Sequence, residues 1–184
     1  MRHWARILGS AATILLAAAP VFVASPAQAQ GTTDAVCTMV WTTYLSPGFT
    51  MAKGTGIYGT GVGITGAETG LITCAGMMNG HAVTGPGTMG HKGKTWDGDC
   101  FGNHGAGTYS YTIPTAGGVQ HATGTYTENR GVNQEGPVEG RQPGAAFYGR
   151  HQVLPTGFVT SWQDCMNRPI TEVAPVMIAV FRSI

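Results

Sequence analysis

Residues 7–24 form one long, predominantly apolar run, whereas from residue 35 onward stretches of apolar and polar positions alternate with a period of two. A short positive segment with Arg2 and Arg6 precedes the run, and Ala27-Gln28-Ala29 ends it with small residues around a cleavage position. That order is the layout of a secretory signal peptide. Residues 1–29 are therefore expected to be removed, leaving residues 30–184 as one secreted domain. No later apolar stretch is long enough for a transmembrane helix in the mature chain.

The alternation predicts half-buried antiparallel strands. In residues 35–44, Cys37, Met39 and Trp41 share one face, and Val36, Thr38, Val40 and Thr42 the other. Tyr109, Tyr111 and Ile113 alternate with Thr108, Ser110 and Thr112. Ala122, Gly124 and Tyr126 alternate with Thr123, Thr125 and Thr127. Residues 173–181 are apolar at nearly every position, which predicts a strand covered on both faces, with Pro175 near its start or on an edge. Glycines 59, 61 and 63 would bare one face of a single strand. Turn residues punctuate the pattern at Ser46-Pro47-Gly48, Asn79-Gly80, Gly85-Pro86-Gly87, Asp97-Gly98, Ala116-Gly117-Gly118 and Gly136-Pro137. Asn79-Gly80 is a two-residue hairpin signal. Short strands without intervening helices predict an all-β fold, an antiparallel β-sandwich or small β-barrel.

Composition narrows the functional classes. Charged residues make up 10% of the chain and glycines number 29. Losing Arg2 and Arg6 takes the formal net charge from +1 to about −1. A near-neutral surface gives no electrostatic drive toward nucleic acid. The four cysteines suit two disulfides in an oxidising compartment. Of three possible pairings, Cys74–Cys100 and Cys37–Cys165 are expected.

Candidate chemistry is sparse. Residues 54–59 and 61–66 match G-x-G-x-x-G, yet no amphipathic helix follows to meet a pyrophosphate, so no nucleotide cofactor is expected. None of Ser46, Ser110, Ser161 and Ser183 lies in a G-x-S-x-G elbow. Glu128, Arg130, Glu135, Glu139 and Arg141 make residues 128–142 the most polar stretch, expected to be a solvated, ligand-facing loop. Two of its glutamates could serve a hydrolase acting on a glycan or ester. His91, Asp97, Asp99 and His104 surround Cys100 and offer N and O ligands for a metal, although no metal-ligand spacing presets a geometry. Trp41 belongs to the core face. Trp96 and Trp162 lie near Cys100 and Cys165, placed either to pack on the disulfides or to stack on a sugar.

Ser46-Pro47-Gly48, Cys74-Ala75-Gly76, Gly80, Gly85-Pro86-Gly87-Thr88 and Cys100-x-Gly102-x-x-Gly105-x-Gly107 resemble a loose group of small secreted Gly/Thr-rich actinobacterial proteins of unknown function. The resemblance covers most of residues 35–128. It implies a shared extracellular β-fold and supplies no catalytic residues. The expectation is thus a secreted, non-enzymatic protein, extracellular or held in the cell wall, that binds a small molecule, glycan or envelope component. A secreted hydrolase using Glu128, Glu135 or Glu139 is the alternative, and an oligomeric envelope pore a third.

Overall fold

The computed structural model describes residues 31–131, 135–153 and 165–184. The predicted signal peptide and Trp162 lie outside them. Twelve strands follow in order: β1 (Asp34–Val40), β2 (Thr43–Phe49), β3 (Gly54–Gly59), β4 (Gly70–Met78), β5 (His81–Ala82) and β6 (Gly87–Asp99), then β7 (Gly102–Thr115), β8 (Gly118–Arg130), β9 (Gly136–Gln142), β10 (Ala145–Val153), β11 (Ile170–Val173) and β12 (Pro175–Ser183). Every pairing is antiparallel. The ring β6-β7-β8-β9-β10-β12-β1-β4 closes through a β4–β6 ladder into an eight-stranded barrel.

The shared strand is β6. Its first three residues pair with Ile72, Leu71 and Gly70 of β4, while residues 92–98 pair with β3. A sheet β3-β2-β11 thereby continues the wall at one end of the barrel. Asn79 and Gly80, both at positive φ, turn β4 into β5 with Met78 opposite His81. This is the predicted two-residue hairpin.

The alternation places side chains as expected along β1, β7 and β8. Cys37, Met39, Trp41, Tyr109, Tyr111, Ile113 and Tyr126 are buried. Phe147 and Phe181 (ring centroids 5.1 Å apart) pack against Tyr109 and Tyr111 to fill one end of the interior.

Several expectations fail for identifiable reasons. The period-two pattern of residues 35–44 is continuous, but the chain leaves β1 after Val40 and resumes as β2 with different partners. Ser46-Pro47-Gly48 lies inside β2 rather than in a turn, with Pro47 on an exposed position. Asp97-Gly98 lies in β6 beside a bulge. Gly61 and Gly63 do not continue β3 but sit at positive φ in the turn that follows it. Strand β12 is covered on one face only: Ile178 is 52% exposed, and with Val36, Val40 and Leu71 it makes the outer wall apolar there.

The disulfides also differ from the expected pairing. Cys37 joins Cys74, and Cys100 joins Cys165. Cys37 and Cys74 are directly opposed in the β1–β4 ladder, with Cα atoms 4.0 Å apart, a closeness that only the register reveals.

Candidate functional site

The inward positions of β7 and β8 grade from polar to apolar. Asn103, Gly105, Glu128 and Arg130 occupy one end, and Tyr111, Ile113 and Ala122 the other. At the polar end Arg130 donates from Nε (3.1 Å) and Nη2 (2.6 Å) to Glu128 Oε2. The two residues are separated by one position, so strand geometry puts them on one face. Both are 4% exposed. The ligand-facing loop expected over residues 128–142 is therefore not a loop: its first part ends β8 inside the barrel, and its last part is β9.

A second polar chain lies beside this pair. Trp41 Nε1 donates to Thr43 Oγ1 (2.8 Å), Thr43 Oγ1 meets His91 Nε2 at 3.1 Å, and His91 Nδ1 meets the Tyr126 hydroxyl at 3.1 Å. A neutral imidazole has one donor and one acceptor, so the two hydroxyls play opposite roles. Burial, then the charge of Arg130, pushes His91 down to about 3. The same causes, with His91 itself, hold His151 well below its ordinary value. Burial and then the Glu128 charge raise Tyr58 and Tyr126 far above the usual phenol range.

Gly93 and Gly105 make this packing possible. A Cβ on Gly105 would collide with the Tyr58 hydroxyl and come within 3.0 Å of Glu128 Oε1, and one on Gly93 would lie 2.6 Å from the Tyr126 hydroxyl. Glu128 Oε1 and His151 Nδ1 have no hydrogen-bond partner. Both residues line a cavity of about 30 Å³, room for about one or two waters. The lumen is thus filled by side chains, polar at one end and apolar at the other, and is too small for an organic ligand. Conduction through this barrel would require displacing its side chains.

The larger concavity is outside. A groove of about 800 Å³ crosses the outer face of β7, β8, β9, β10 and β12. Cross-strand register arranges its rim in rows. In one, Ala106, Thr127, Glu139, Tyr148 and Val180 are successive neighbours. In the next, Thr125, Arg141, Ala146 and Arg182 are. Tyr148 is 58% exposed. Gly140 lies beneath the groove on the inward side of β9 and cannot be larger, because a Cβ there would strike the buried Phe147 ring. The volume falls in the range of small-molecule sites.

The candidate residues named from sequence thus separate. Glu139 and Arg141 enter the groove, while Glu128 and Arg130 face the lumen. Glu139 pairs with Thr127 and points outward, opposite to Glu128, so these two carboxyls cannot flank one bond. Glu135 lies 3.8 Å from Arg150. It is four residues from Glu139 along nearly extended chain, roughly 13 Å between Cα atoms.

The proposed metal ligands also disperse. His91 is in the lumen, Asp97 pairs with Lys53 on the surface (3.0 Å), and Asp99 Oδ1 accepts from the amides of Phe101 and Gly102. Among the described residues no three His, Cys, Asp or Glu side chains gather for a metal ion. Trp96, 52% exposed, stacks on His104 (6.2 Å, 20°).

Sequence reasoning missed Tyr148, Ala146 and Arg182 in the groove, and Tyr58 and His151 in the lumen. Alternation along residues 145–153 could have placed Tyr148 and Ala146 on one face. Their partners depend on register. Comparison of the chain with protein-family models, with curated proteins and with solved structures gives no match.

Proposed function

We propose that this is a secreted binding protein whose barrel is a rigid, non-enzymatic scaffold and whose ligand face is the groove across β7–β12. The observation that carries the reading is the groove itself. Its exposed aromatic ring, two arginines and one glutamate converge over a floor of small residues. Such a mixture of apolar platform and a few oriented polar groups is the usual make-up of a ligand site. Two disulfides and the signal-peptide pattern at residues 1–29 support an extracellular setting. Catalysis has less support, because the three glutamates face different environments and none is paired across a cleft.

The test is retention of the purified mature protein on envelope polysaccharide isolated from its own host, set against Tyr148→Ala. Tyr148 is largely exposed, so the variant should melt like the parent. The expected result is at least ten-fold weaker retention of the variant. Equal retention of both would overturn the groove as the binding face.

A further inference from the structure

Granting that the groove is the binding face, we infer that its ligand is an acidic saccharide, with a ring carboxylate held between Arg141 and Arg182 and a sugar face on Tyr148. The register carries this assignment. Ala146 of β10 is directly opposite Arg141 on one side and Arg182 on the other. The two arginines therefore lie two strand spacings apart, roughly 9.6 Å, with only a methyl group between them. Their long side chains can lean together over that gap. Among the described residues neither forms an ion pair within 4 Å. Each guanidinium fork can bind a carboxylate through two parallel N–H donors.

The flanking row selects the rest of the ligand. Tyr148 lies one row away, with Glu139 and Val180 as its cross-strand neighbours. An exposed phenol ring offers an apolar plane with a polar edge, which suits the mixed surface of a sugar. Glu139 accepts hydrogen bonds from hydroxyls, and Thr125 and Thr127 can donate or accept across the groove. Glu139 also opposes dense negative charge such as a run of phosphates, and Asp34 opposite Arg182 adds to that. Five strands span about 19 Å, long enough for an oligosaccharide to cross.

The experiment compares trigalacturonate with its methyl ester, which keeps the skeleton and removes the charge, by amide chemical-shift titration of the full mature protein. Trigalacturonate is expected to perturb the groove strands and to bind at least ten-fold more tightly than the ester. Arg141→Gln and Arg182→Gln, both at exposed positions, should erase that preference without changing the melting temperature. Equal affinity for acid and ester would overturn the acidic assignment while leaving the groove as a saccharide site. Retention on host polysaccharide that fails in Tyr148→Ala but survives both arginine variants would do the same. No groove response to either probe would overturn the assignment, and the envelope retention assay would still decide the broader reading.

Discussion

Arg130 and Glu128 illustrate how little a residue's chemistry says without its surroundings. Removing one partner of a buried ion pair leaves the other charge desolvated and uncompensated, which typically costs about 3–5 kcal/mol. Arg130→Met should therefore lower the urea midpoint strongly. Glu128→Leu combined with Arg130→Met should recover most of the loss, because two apolar groups leave no orphaned charge. An additive double variant would show that the pair is not coupled.

The buried histidines give a second prediction at this scale. Both are held below the unfolded value of about 6.5, so the folded state binds fewer protons than the unfolded chain. Their contribution is complete above that value and is lost as pH falls toward the folded pKa, about 3 for His91. Stability should drop below pH 6.5 by up to about 1.4 kcal/mol per pH unit per histidine. Melting temperatures measured from pH 7.5 to 4 will show this slope, and a flat profile would place water against the imidazoles. Gly105→Ala should also destabilise, since its methyl group enters the space of the Tyr58 hydroxyl.

Strands here are defined as much by partners as by their own sequence. Residues 35–44 form one alternating pattern but two strands, because Val40 is the last residue of the β1–β12 and β1–β4 ladders. Pro143-Gly144, with Gly144 at positive φ, joins β9 to β10 with Gln142 opposite Ala145. Pro-Gly is a strong turn signal, so this hairpin was within reach of the sequence. The disulfides act at the same scale. Cys37–Cys74 clamps neighbouring strands, and Cys100–Cys165 fastens the β6–β7 turn to the residues before β11. Their separations of 37 and 65 residues correspond to about 4 kcal/mol each in the chain-entropy treatment. Peptide mapping without reduction should recover Cys37 linked to Cys74. Cys37→Ser and Cys100→Ser should each lower stability by a similar amount.

Across the whole molecule, closure is the dominant fact. β12 lies between β1 and β10, so the last strand of the chain completes the ring begun by the first. Without it both neighbours would present open edges, and the lumen would lose Met177, Ala179 and Phe181. Deleting residues 175–184 should therefore abolish the near-ultraviolet circular dichroism of the packed aromatics and promote aggregation through the exposed edges. A soluble truncated chain with native aromatic signals would contradict the central role of this strand.

The sequence by itself determined the all-β class, the inward residues of β1, β7 and β8, and the Asn79-Gly80 hairpin. Those features follow from local rules: period-two alternation, turn chemistry and the absence of a helical period. Only the tertiary structure decided which cysteines meet, that Glu128 and Arg130 are paired and buried rather than solvated in a loop, and that Arg182 joins Arg141 around Ala146. Each of these depends on which strands are neighbours and in what register. A shift of one residue in a strand exchanges its two faces, and the charges of Glu128 and Arg130 run against the apolar-inward rule that places the rest of β8.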